Sequence, residues 1–160
     1  MKKIPLTQDK FALVDNEDFE WLNQWKWSAH RKHTGDFVAS RRCYCLFGRK
    51  RYRIFMHRQI MSCPRKLQID HKDHNRLNNQ KLNMRICTNT QNQWNRGKQK
   101  NNTSGFKGVF WRRGVKKWFA QIGFNLKPIY LGCFTSKIDA AKTYDEAAIK
   151  YFGEFAYLNF

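Results

Sequence analysis

The sequence predicts an α+β protein in two parts: a mixed N-terminal domain, then a small three-stranded antiparallel sheet packed on one helix. Three observations carry this. Short apolar strand patterns at 10–14, 37–40 and 52–56 surround one acid-started helical stretch. Three further strand patterns, at 107–113, 117–123 and 129–134, run directly into alanines at helical spacing. Between the two sets lies a basic, polar run at 96–105 with no large apolar residue, as an exposed linker requires.

In chain order, Lys-Phe-Ala-Leu-Val at 10–14 reads as a strand. Asp15, Asn16, Glu17 and Asp18 then place acid where a helix begins, favourable beside the positive end of its dipole, with Phe19, Leu22 and Trp25 as the apolar face. The strands at 37–40 and 52–56 follow turns marked by Gly35 and Gly48. This region reads as a platform, and its Arg41, Arg42, Arg49, Lys50, Arg51 and Arg53 suit a phosphate backbone as well.

In the second part, alternation sends Trp118, Ala120 and Ile122 toward the helix, and Phe119, Gln121 and Gly123 away from it. Ser136 and Asp139 form a capping-box-like start. Ala140, Ala141, Tyr144, Ala147, Ala148 and Tyr151 make the inner helix face, and Gly153 stops the helix. The domains are therefore placed at 1–96, with a core about 54–96, and at 104–160, joined by a basic linker at 97–103.

Charge narrows the partner. The chain has 31 Lys and Arg against 12 Asp and Glu, a net +19, with 16% aromatic residues. Cations interleaved with rings suit nucleic acid, because rings stack on bases while Lys and Arg displace counterions from phosphates. No secretory signal or membrane span is evident, so a cytoplasmic setting is expected. Five cysteines, Cys43, Cys45, Cys63, Cys87 and Cys133, are odd in number and lack a CxxC pair. That argues against a disulfide framework and against a zinc finger. On a strand Cys43 and Cys45 would share a face; a metal there needs two more ligands, such as His30 or His33, and reduced half-buried thiols are the simpler reading.

The densest chemistry lies at 70–92, which opens Asp70-His71-Lys72-Asp73-His74-Asn75 and continues through Asn78, Asn79, Asn83, Asn89 and Asn92. Hydrolysing a phosphodiester requires an activated water and charge stabilisation at the phosphate and leaving oxygen. An imidazole supplies the first, and hard oxygen ligands holding a divalent ion supply the second. Asp70 and His71 are adjacent, so on a strand they point apart and can share a site only where the strand ends in a turn. Thr88 reads as the cap of a helix carrying Asn92.

The stretch from Met56-His57-Arg58 to Asn95 resembles the HNH nucleases, which carry a ββα-metal site, and most closely their phage-type homing branch. The resemblance implies His71 as general base, Asp70 as metal ligand, Asn83 as the residue that braces the loop and holds His71, and Asn92 as second metal ligand. It implies Mg2+, or Mn2+ in its place. Asn92 stands where many members have His, which disfavours zinc. His74 stands where the loop often has Gly, and it reads as an exposed loop residue rather than a phosphate contact; His57 reads as structural.

Residues 103–160 resemble the Apetala-type (ethylene-response-factor) DNA-binding domain through Ser104-Gly-Phe-Lys-Gly-Val, Trp118-Phe-Ala-Gln-Ile, Tyr130-Leu-Gly-Cys-Phe and Leu158-Asn159-Phe160. By position this puts Lys107, Phe110, Arg112, Gln121 and Tyr130 toward DNA. Gln121, Tyr130 and Gly123 replace the Glu, Trp and Arg frequent in plant members, so the target sequence does not transfer. Alternation turns Trp111 and Arg113 toward the helix.

The expectation is a site-directed homing-type DNA endonuclease acting as a monomer on double-stranded DNA, with no membrane or protein partner, in a bacterial or phage-infected cell. The competing reading is a non-catalytic sequence-specific DNA-binding protein retaining a nuclease fold; a third is a structural RNA-binding protein.

Overall fold

A computed structural model of the chain describes residues 1–33, 35–44 and 51–160. The protein is α+β: the described residues form several small antiparallel sheets and four α-helices. It divides into two compact units, Met1–Asn89 and Thr90–Phe160.

The first unit opens with a hairpin of β1 (Lys2–Pro5) and β2 (Phe11–Val14). Sequence patterning does not reveal β1, because Ile4 alone among its residues is buried. Helix α1 (Asn16–Asn23) follows, burying Leu22 completely, with Phe19 and Trp25 packed beside the same core. Asp15 occupies the cap position but makes no side-chain capping bond. Its carboxylate instead accepts from Lys81 N at 2.8 Å and Gln80 Nε2 at 3.2 Å, fastening a distant loop to the start of α1.

A second sheet has the order β3 (Ser28–Arg31), β4 (Phe37–Tyr44), β5 (Arg51–Phe55), all antiparallel. Met56, patterned as the end of a strand, begins helix α2 (Met56–Ile60) and is fully buried with Ile4, Ala12, Val14, Leu22, Trp27 and Ala39. Burying a side chain of that size is worth about 1.5–3 kcal/mol. Cys43 lies on β4; Cys45, Gly48, Arg49 and Lys50 lie outside the described residues.

The unit closes on a two-stranded ribbon, β6 (Gln68–His71) against β7 (Met84–Cys87), and α3 (Asn89–Trp94) begins directly after Thr88.

The second unit is the sheet β8 (Val109–Arg112), β9 (Lys117–Phe124) and β10 (Lys127–Phe134), covered on one face by α4 (Lys137–Phe152). Val109, Ala120 and Ile122 meet Ala140, Ala141, Tyr144, Ala147 and Ala148 across that face. Ser136 Oγ accepts from Asp139 N at 3.3 Å at the helix start, and Gly153, at φ +54°, follows its end. The second unit begins earlier than composition alone indicates. Trp94 stacks on Phe152 at 4.7 Å and near Phe124 at 5.9 Å, which draws the end of α3 into this core. Part of the basic run also folds. Buried Ser104 donates through Oγ to Val109 O at 2.8 Å, and Asn102 Oδ1 accepts from Gly105 N at 2.8 Å.

Candidate functional site

His71 is the last residue of β6, and His74 N donates to its carbonyl at 3.0 Å as the chain turns. Asp70 and His71 are 5% and 6% exposed, so a carboxylate and an imidazole are both withdrawn from bulk water. As strand alternation requires, they engage different partners. Asp70 is registered opposite Arg85, whose Nη2 and Nε lie 2.6 and 2.8 Å from Oδ2. His71 Nε2 lies 3.4 Å from Asn79 Oδ1, and its ring meets His57 edge-on at 5.5 Å.

Asn79 is completely buried and fixed from several sides: its backbone N donates to Leu13 O at 2.8 Å and Nδ2 to Met56 Sδ at 3.5 Å. Donation from His71 to Asn79 Oδ1 requires the tautomer with the proton on Nε2, which makes Nδ1 the basic nitrogen. Burial lowers the pKa of His71 below its ordinary 6.5. The Asn79 bond and the charges of Asp73 and Asp70 oppose this, while Arg76 reinforces it. The imidazole is therefore neutral at physiological pH. Burial, followed by the charge of His71 and of nearby cations, pushes His57 down to about 3, so it too is neutral.

The loop after His71 is organised around Asp73. Its carboxylate accepts from Asn75 N at 2.8 Å, Asn78 Nδ2 at 2.7 Å and Asn83 Nδ2 at 2.9 Å. Burial raises the Asp73 pKa, but these hydrogen bonds together outweigh it and leave the group below the ordinary range. Asn83 Oδ1 accepts from Asp73 N at 3.1 Å, its Nδ2 also donates to Asn78 O, and Lys72 N donates to Asn83 O. Asn83 is thus joined to the loop on both sides, whereas the side chain bonded to His71 is Asn79. Position 74 is the loop's left-handed residue, at φ +61°.

Asp70, His71 and Asn83 all belong to the first unit; Asn92 is half-buried on α3 in the second. Among the described residues no group of three or more His, Cys, Asp and Glu side chains gathers for a metal. Asp70 fits a hard cation as a lone anionic ligand. Mg2+ commonly takes one or two carboxylates plus water and phosphate, so a single carboxylate is within its usual donor set. Cys87 is raised to about 11, mainly by burial and then by Asp70, so it stays a neutral thiol.

In the second unit the sheet face away from α4 is aromatic and basic. Phe110 and Tyr130, 42% and 57% exposed, flank Phe119 at 5.9 and 5.5 Å. Arg112 lies 5.3 Å over the Phe119 ring, and exposed Gln121 is registered opposite Tyr130. Trp111 meets Trp118 at 5.0 Å, and Trp118 packs against the helix-side core. Lys107 does not join this face. Its ammonium donates to Trp94 O at 2.6 Å beside the helix-side core, and burial, then the Arg96 charge, lowers it to about 8.

No protein-family profile matches the chain. A stretch of 55 residues, 34% of this chain, is 40% identical to "Protein 3.8" of Escherichia phage T7. The match covers 46% of that protein, so the chain spans less than half of the relative's length.

Sequence reasoning named Asp70, His71 and Asn83 but missed Asn79, Arg85 and Asp73. Arg85 was findable, since pairing β6 with β7 in register sets it opposite Asp70. Asn79 was not, because nothing local separates it from its neighbour Asn78.

Proposed function

We propose that the protein is a DNA endonuclease of the HNH homing type, its first unit hydrolysing a phosphodiester and the outer sheet face of its second unit contacting duplex DNA. The observation that carries the reading is His71: a buried, neutral imidazole at a strand end, next to a buried carboxylate and above a loop tied down by its own asparagines.

In this reading His71 Nδ1 takes a proton from water, and the hydroxide formed attacks phosphorus. The 3′ oxygen leaves and is protonated by solvent, giving a 5′-phosphate and a 3′-hydroxyl. Asp70 is the first unit's carboxylate that would hold Mg2+. When bound, that ion supplies Lewis-acid stabilisation of the phosphate and the leaving oxygen. Arg85 fixes the Asp70 carboxylate, Asn79 fixes the His71 ring, and Asn83 keeps the loop in shape. On the sheet, Phe110 and Tyr130 offer exposed rings and Arg112 and Gln121 offer donors able to read base edges in a major groove. The similarity to a T7 phage protein is in keeping with a phage setting.

The test is digestion of phage genomic DNA with Mg2+ or with EDTA, followed by labelling of the product ends. Fragments with 5′-phosphates formed only with Mg2+ support the proposal. DNA that stays intact across a genomic library, while duplex binding is retained, favours a non-catalytic DNA-binding protein.

A further inference from the structure

The face of the β3–β4–β5 sheet that carries Arg42, Tyr44, Arg51 and Arg53 has no part in the chemistry above. Register sets Arg42 directly opposite Arg53 and Tyr44 opposite Arg51. Like charges directly opposite across antiparallel strands are destabilising. Here, among the described residues, Arg42, Arg51 and Arg53 form no salt bridge. Arg53 Nη1 lies instead 2.6 Å from His30 Nε2, and Arg51 lies 5.6 Å over the Tyr44 ring. Burial, then the charges of Arg53 and Lys32, lowers the pKa of His30, as expected where the local potential is positive.

A chain of ring contacts links this face to His71. His71 meets His57 at 5.5 Å, His57 stacks on Phe55 at 5.6 Å, and Phe55 lies 6.5 Å from His30, which touches Arg53. Lys32 lies 5.5 Å over the Phe55 ring. From Phe55 to Arg51 the strand covers roughly 13 Å, about four nucleotides of axial rise on one DNA strand.

We infer that Arg42, Arg51 and Arg53 form a phosphate track that holds the duplex backbone beside the bond placed at His71, a second DNA-binding surface separate from the C-terminal sheet. The inference rests on the nuclease reading for its choice of polyanion. The uncompensated Arg42–Arg53 repulsion is relieved when DNA phosphates are bound. Three arginines on one strand's phosphates release about three counterions, a contribution near 3 to the salt slope of binding.

The test measures affinity of the full chain for duplex DNA by fluorescence anisotropy from low to moderate salt, without divalent metal, using the Arg42→Gln/Arg53→Gln double variant. The track predicts a salt slope lower by about 2, weaker binding at low salt, and a thermal midpoint equal to or above the parent's. The last result separates a lost phosphate contact from a lost structural one. An unchanged slope, or a loss confined to folded RNA, overturns the inference. Cleavage by His71→Ala is scored separately, so an inactive parent would refute the nuclease reading without touching the binding result.

Discussion

At the scale of single residues, Asn79 is the side chain bonded to His71, the base of the proposed reaction. Its carboxamide oxygen, 3.4 Å from His71 Nε2, opposes the depression of the His71 pKa that burial causes. Asn79→Ala should therefore cut kcat by about 10- to 100-fold, with little change in DNA affinity, and cost about 1–3 kcal/mol of stability. The pH profile gives the sharper check. In the proposed reaction the neutral imidazole is the active form, and its pKa lies below 6.5, so the rate should rise with pH and level off before neutrality. Asn79→Ala should move the rising limb to lower pH, and Asn79→Asp should move it higher, because an anionic partner favours the imidazolium. A limb at the same pH in all three proteins would remove Asn79 from the site.

The secondary-structure elements of the second unit were the most legible part of the sequence. Two-residue alternation in β9 and the alanine spacing of α4 correctly set Ala120 and Ile122 against the helix. Phe119 followed the same alternation to the outer face, yet is only 8% exposed because Phe110 and Tyr130 cover it. Lys107 faces DNA only by position in the family resemblance; it lies just before β8, and its ammonium donates to Trp94 O instead. Its neighbour Gly108 sits at φ +74°, and a Cβ there would overlap the Tyr144 ring. Gly108→Ala should thus destabilise the unit by about 3 kcal/mol, read as a lowered denaturation midpoint. Gly123 is the opposite case, with nothing within 4 Å of a Cβ and an exposed position on the outer face. Gly123→Arg should fold normally and raise the salt slope of DNA binding by about 1. In the first unit β1 and β3 escaped notice because each buries a single side chain, Ile4 or Ala29.

For the whole molecule, charge and buried imidazoles set the response to conditions. No helix among the described residues is long and apolar enough to cross a membrane. His57 titrates at about 3 when folded but near 6.5 in the unfolded chain, and His71 is lowered as well. Between those values the unfolded state binds the extra protons, so stability is complete above about pH 6.5 and falls as pH drops. Each buried imidazole contributes a slope of roughly 1.4 kcal/mol per pH unit. His57→Phe, which keeps an aromatic ring on Phe55, should flatten that acid limb in a series of denaturation curves; an unchanged limb would mean that His57 accepts its proton in the folded state. Asp70 and His71 could be chosen from sequence because their order and the asparagine spacing after them are local. Their partners Arg85 and Asn79 come from strand pairing and core packing, which a linear reading does not contain. The loop that follows His71 is held by Asp15, just before α1, at one end and by Asp73 within.

The proposed function stands or falls on His71 activating water for phosphodiester cleavage. The direct measurement is the rate of nicking of supercoiled DNA with Mg2+, comparing the parent with His71→Ala, alongside duplex affinity for both. Cleavage should depend on Mg2+ and fall by at least about 100-fold in the variant, with affinity unchanged within about twofold. Equal cleavage by the two proteins would contradict it.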